Sequence, residues 1–148
     1  MNLFRTTSEN PDFQKLVSEL DVYLAIRNGD ENDFFVQFNK IEWLRHIVLA
    51  YENGVAVGCG AFKEFETGTV EIKRMFVPLE FRGKGIASLV LKELEIWAKE
   101  LGYKKTILET GKDMKDAVGL YTKFNYQIIP NYGQYAEIEG SVCFEKIL

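Results

Sequence analysis

The stretch Phe76-Val-Pro-Leu-Glu-Phe-Arg-Gly-Lys-Gly-Ile-Ala-Ser88 decides how the chain is read. A β-rich run over residues 69–77 stops at Pro78, which cannot donate to a strand ladder. Past the loop of residues 79–82 the period turns helical. Ile86, Val90, Leu94, Trp97 and Leu101 fall on one stripe, Lys92, Glu93, Lys99 and Glu100 fall off it, and Gly102 closes the run. A strand that passes through a glycine-punctuated turn into a strong amphipathic helix forms an anion site. Unpaired amides of the first helical turn converge there and the helix dipole adds partial positive charge. Gly83 and Gly85 let backbone approach a phosphate closely, and Arg82 and Lys84 supply formal charge.

Two familiar phosphate loops fail against this stretch. A P-loop needs glycine five positions before the glycine of its Gly-Lys-Ser/Thr, yet Pro78 stands there and Gly85 follows Lys84. A dinucleotide fingerprint needs three glycines directly after the strand, but its third position is Ser88 and four residues separate Pro78 from Gly83.

Outward from the turn, residues 46–51 and 55–66 flank Glu52-Asn53-Gly54, a strong hairpin signal, and with residues 69–77 they predict antiparallel strands. Upstream, residues 2–7 read as a first strand. Phe13, Leu16, Val17, Leu20 and Leu24 then recur at helical spacing, with Ser8 or Asn10 able to cap, Pro11 in the first turn and Asn28-Gly29 as the stop. Residues 30–39 read as a second helix. Downstream, residues 105–110 read as a strand and residues 114–124 as a helix with Ala117, Leu120, Tyr121 and Phe124 in register. Residues 126–129 and 141–147 read as closing strands. Hairpins followed by strands alternating with helices predict a single α/β domain over residues 1–148, its mixed, mostly antiparallel central sheet flanked by helices. Residues 141–147 are expected as an exposed edge, leaving room for a homodimer.

Composition sets the outer limits. The 148 residues are 47% apolar and include 20 aromatic side chains, which suits one folded domain with a core and excludes a disordered chain. Eighteen basic residues against 22 acidic ones leave a net charge of −4, so no global positive field draws the protein to nucleic acid or anionic lipid. Cys59 and Cys143 lie in strand-like runs without Cys-x-x-Cys spacing and read as reduced, packed thiols of a cytoplasmic protein, with no metal site. No window has 18 uninterrupted apolar residues, so no membrane span is expected. His46, the only histidine, precedes an apolar run and reads as structural.

The Arg-x-x-Gly-x-Ala pattern of Arg82, Gly85 and Ala87, with Leu120-Tyr-Thr-Lys-Phe-Asn-Tyr126 downstream, resembles the GCN5-related N-acetyltransferase (GNAT) superfamily over roughly residues 46–147. The resemblance implies the acyl-CoA N-acyltransferase fold and transfer of an acetyl group from acetyl-CoA to a primary amine by direct attack in a ternary complex. It assigns the pyrophosphate to Arg82, Gly83, Lys84, Gly85, Ile86, Ala87 and Ser88, and the pantetheine arm and thioester carbonyl to main-chain groups of Met75, Phe76 and Val77. Tyr121, a core aromatic on periodicity, becomes the acid that protonates the departing thiolate. Glu71 sits where several family members deprotonate the amine. Met114 departs from the pattern, since many members carry asparagine there to hold the CoA arm.

On strand alternation Glu71, Lys73 and Met75 share one face and Ile72, Arg74 and Phe76 the other, and the plain reading of Glu71 is a solvated carboxylate. Glu109 is the second candidate base. Residues 130–140, carrying Tyr132, Tyr135, Glu137 and Glu139, read either as a solvated connection or as the wall of an acceptor pocket for a small cationic amine, with Tyr23 able to face it. Protein or peptide acceptors and a non-catalytic acyl-CoA-binding module are the alternatives; the intact Tyr121 argues against the latter.

Overall fold

Asn53 and Gly54 both adopt positive φ, 52° and 79°, the pair that a type I′ turn needs. They close the expected hairpin between β2 (His46–Glu52) and β3 (Val55–Glu66), paired from His46↔Phe62 to Glu52↔Val55 with a register shift between Ala50 and Tyr51. The computed structural model describes residues 1–29 and 43–148, so the helix expected over residues 30–39 lies outside the described residues. The other elements are β1 (Asn2–Thr6), α1 (Pro11–Asn28), β4 (Thr69–Phe76), α2 (Ile86–Glu100), β5 (Lys105–Gly111), α3 (Lys115–Lys123), β6 (Gln127–Ile129) and β7 (Ser141–Ile147). The strands form a seven-stranded sheet in the order β1-β2-β3-β4-β5-β7-β6, the expected mixed α/β architecture. Its chain divides into two compact units, Met1–Phe62 with Arg74–Leu94, and Lys63–Lys73 with Glu95–Leu148.

In the first unit, α1 is capped by the Asn10 side chain, which accepts from the Asp12 amide at 2.9 Å. Ser8, the other expected cap, is buried instead and its hydroxyl accepts from the Leu44 amide at 2.9 Å. Phe13, Leu16, Val17 and Leu20 of α1 close on Ile47, Leu49, Cys59, Ala61 and Phe76. Each such fully buried aliphatic or aromatic side chain stabilises the fold by about 1.5–3 kcal/mol. On the opposite face of β3 stand Gly58 and Gly60. A Cβ on Gly58 would fall 2.6 Å from Ile86, and one on Gly60 within 2.9 Å of Met75, Leu94 and Val90. Glycine is therefore needed for α2 to lie against this strand, which fixes where the helix begins.

In the second unit, β5 pairs in parallel with β4 from Thr69↔Lys105 to Glu71↔Ile107 and antiparallel with β7 from Lys105↔Ile147 to Gly111↔Ser141. The edge expected at residues 141–147 is overturned. β6 covers β7 through Gln127↔Glu145, Ile128↔Phe144 and Ile129↔Cys143, because the chain doubles back after β6 and inserts its last strand between β5 and β6. Leu101 also departs from expectation. The helix ends at Glu100, the Tyr103 amide turns back to the Ala98 carbonyl at 3.1 Å, and Leu101 is left exposed while Ala98 is buried. Glu95, unremarked in the sequence, is buried on the same helix. It accepts from the Tyr126 hydroxyl at 2.7 Å and from Lys146 Nζ at 2.8 Å, and Tyr126 in turn accepts from Thr106 at 2.9 Å. Among the described residues no helix is long and apolar enough to cross a membrane.

Candidate active site

The glycine turn belongs to the first unit. The Phe81 amide donates to the Pro78 carbonyl at 2.9 Å, so Leu79–Phe81 forms a short 3-10 turn. Arg82 Nε donates to the Val77 carbonyl at 2.8 Å, and its guanidinium lies 5.2 Å from the Tyr23 ring centroid, itself packed on Phe76. Arg82 thus pins the turn as well as bringing charge to it. Gly83 and Gly85 have φ of 83° and 77°, in the left-handed region that side chains rarely adopt, and a Cβ built on either meets nothing within 4 Å. The helical ladder begins with the Leu89 amide on the Gly85 carbonyl at 3.2 Å, so the amides of Ile86, Ala87 and Ser88 have no helical acceptor. Open space beside both glycines, free amides and two cations make a cradle that fits a pyrophosphate.

Leading into the turn, the side chains of Met75 and Phe76 are committed to packing, Met75 against Gly60 and Phe76 in the core beneath α1. Strict alternation does not hold along this strand, because Arg74 takes a left-handed φ of 59°, a conformation that breaks the regular pleat. Its Nη1 donates to Asp21 at 2.8 Å; among the described residues its Nη2 is the buried side-chain nitrogen without a hydrogen-bond partner.

The second unit carries the candidate acid–base groups. Glu71 is only 4% exposed, not solvated as its strand position suggested, and Oε2 accepts from the Tyr132 hydroxyl at 2.7 Å. Tyr132 is held edge-on by Phe65 (5.2 Å, 75°) and by the buried Tyr135 (5.8 Å, 89°). Glu109 Oε2 accepts from the Ser141 hydroxyl at 2.6 Å. Burial pushes the Glu109 carboxyl above its ordinary range against the Ser141 bond, with Glu71 adding to the rise and Lys73 opposing it. Tyr121 is buried against Tyr126 and Phe144 at 5.6 and 5.9 Å between ring centroids. Burial and then the Glu109 charge raise its phenol well above the usual value, so it stays protonated at every physiological pH. Tyr132 is raised chiefly by burial and then by Glu71, and Tyr135 chiefly by burial and then by Glu109 and Glu71.

The structure thus brings Glu71, Glu109, Tyr132 and Tyr135 into one electrostatic neighbourhood and leaves Glu137 and Glu139 exposed, outside it. His46 stacks on Phe62 at 4.6 Å, with burial and Arg45 lowering its pKa. Both cysteines are buried and free, and burial pushes the Cys59 thiol up to about 12. At the position of the missing asparagine, Met114 Sδ lies 3.7 Å from the Thr110 hydroxyl. Sequence reasoning missed Ser141 and the Tyr132–Glu71 bond, both of which join residues far apart in the chain. Among the described residues no group of His, Cys, Asp and Glu could hold a metal.

Comparison with known proteins agrees with this fold. The family model described as the acetyltransferase (GNAT) family matches residues 8–126. An IAA acetyltransferase of Azospirillum brasilense is 32% identical over 137 residues, 90% of this chain and 89% of that protein. Among solved structures, a candidate acyl-CoA N-acyltransferase of Klebsiella pneumoniae superposes with a TM-score of 0.82 at 26% identity over 99% of this chain and 97% of its own. A GNAT family acetyltransferase of Elizabethkingia anophelis, solved with acetyl-CoA bound, shares the fold with a TM-score of 0.70 at 22% identity over 99% and 97% of the two chains.

Proposed function

The chain belongs to the acetyltransferase (GNAT) family, and from that membership we propose that it moves an acetyl group from acetyl-CoA to the primary amine of a small molecule, by direct attack. The observation that carries the reading is the turn with Gly83 and Gly85 in left-handed conformation at the start of α2, open on the side where a Cβ would stand. When bound, acetyl-CoA supplies the acetyl group as a thioester whose sulfur leaves as thiolate. The amides of Gly83 to Ser88, with Arg82 and Lys84, hold the pyrophosphate, and main-chain groups of Met75, Phe76 and Val77 hold the arm and polarise the carbonyl.

An alkylamine with pKa near 10 is protonated at neutral pH and must lose a proton before it can attack. Glu71 takes that proton on a carboxylate oxygen, with Glu109 as the second candidate. Tyr121 keeps its proton at the pH of the reaction and gives it to the leaving sulfur from its hydroxyl. Buried carboxylates beside Tyr132 and Tyr135 favour a cationic acceptor whose apolar body lies against aromatic rings. The experiment is a panel of small amines, amino acids and peptides with acetyl-CoA and a thiol readout. A small amine is expected to give the highest kcat/KM. Faster turnover of a peptide than of every small amine overturns the acceptor class, and no thiol release with any acceptor overturns the enzyme.

A further inference from the structure

We propose that Tyr132 is the positioning residue of the amine's base: its hydroxyl holds one oxygen of the Glu71 carboxylate, presents the other to the amine, and stabilises the ionised, proton-accepting form. The inference rests on the assignment of Glu71 as base and adds to it a residue outside the acetyltransferase motif.

Three observations carry it. The bond is short, 2.7 Å from the Tyr132 hydroxyl to Glu71 Oε2, and its acceptor is a buried carboxylate. Hydrogen bonds to charged acceptors are the strong class, and burial strengthens them further. The donor is also fixed in place. Tyr132 sits edge-on to both Phe65 and Tyr135, and the 3-10 turn Gly133–Tyr135 closes with the Tyr135 amide on the Tyr132 carbonyl at 2.9 Å. Finally, the phenol is far too weak an acid in this setting to ionise, so Tyr132 keeps the proton it donates.

A loop tyrosine serving only as an acceptor wall would have its hydroxyl directed to solvent or substrate, whereas this one is used on the strand beneath. Among the described residues, the groups that interact electrically with Glu71 include Glu109 on β5, Tyr132 and Tyr135 in the loop of residues 130–140, and Cys143 on β7. Of these, Glu109 is a second carboxylate, and Tyr132 donates a hydrogen bond to Glu71.

The test compares Tyr132→Phe, Glu71→Gln and the double variant, with kcat and KM for the amine measured across pH, after circular dichroism shows that each is folded. Phenylalanine keeps the ring contacts and removes only the donor. The acid limb of kcat should move about one pH unit upward in Tyr132→Phe, with kcat on the high-pH plateau within about 3-fold of wild type and KM within about 2-fold. In the Glu71→Gln background the same substitution should change nothing further. A readout free of turnover is the titration of 13C-labelled glutamate carboxyls, where the Glu71 resonance should titrate at higher pH in Tyr132→Phe. An unmoved limb and resonance in Tyr132→Phe, with the limb abolished in Glu71→Gln, overturns the role of Tyr132 alone, and a rise in KM without a shifted limb makes Tyr132 a wall. A limb that survives Glu71→Gln overturns the assignment of the base.

Discussion

Replacing Gly85 by valine tests the cofactor grip, provided backbone strain is separated from lost contacts. Gly85 has φ of 77°, and a Cβ there meets no protein atom within 4 Å, so valine disturbs no packing. It does force a β-branched residue into the left-handed region, which costs about 1–2 kcal/mol or more. For a chain of this size that lowers Tm by roughly 2–8 °C. Gly54 supplies a matched control, with φ of 79° and an equally open Cβ direction in the β2–β3 turn. Gly54→Val should lower Tm by a similar amount and leave acetyl-CoA affinity unchanged. Gly85→Val should weaken acetyl-CoA by at least about 100-fold, because displacing a pyrophosphate from charge-assisted amide bonds forfeits about 1.5–3 kcal/mol for each. Calorimetric titration of both folded variants with acetyl-CoA reads the difference. Equal affinities would refute the site, and equal weakening would show that strain, rather than the cradle, is being measured.

Tyr121→Phe should lower kcat by about 10²–10⁴ with acetyl-CoA affinity little changed, since only proton donation in the transition state is lost; full kcat would return this residue to the core. Burial raises Glu109, so native stability is fully present below the ordinary carboxyl value near 4.5 and declines as pH climbs through the raised one. Glu109→Gln, with no proton to lose, should therefore show a smaller fall in Tm than wild type between about pH 5 and about pH 8. Tyr126→Phe removes the bridge between Thr106 and Glu95 and should cost about 1–3 kcal/mol in denaturant unfolding while kcat stays near wild type.

Local chemistry made much of this readable. Asn53-Gly54 dictates its turn through backbone preference, and the stripe Ile86, Val90, Leu94 dictates a helix through burial, so both are visible in a few adjacent letters. The glycine turn is legible for the same reason. The surroundings of Glu71 are not, because its hydrogen-bond donor lies 61 positions away and only the loop's fold brings the two together. Ser141 reaches Glu109 across 32 positions by strand pairing. Nothing near Glu95 in sequence announces its partners Tyr126 and Lys146. Arg74 shows the limit of period-two reasoning, since one residue with positive φ spoils the count of faces.

The insertion of β7 between β5 and β6 sets an order on how the protein can come into being. A polypeptide grows from its amino end, so residues 127–129 exist before the strand that pairs with them among the described residues. Until residues 141–147 have been made, β6 lacks the strand it pairs with and β5 lacks one flank. The hydroxyl that Glu109 accepts from belongs to the first residue of that late strand. A nascent chain therefore carries the whole glycine turn well before the setting of Glu71 and Glu109 is complete, and a chain interrupted after residue 140 keeps the sequence of that turn without the strand whose first residue bonds Glu109.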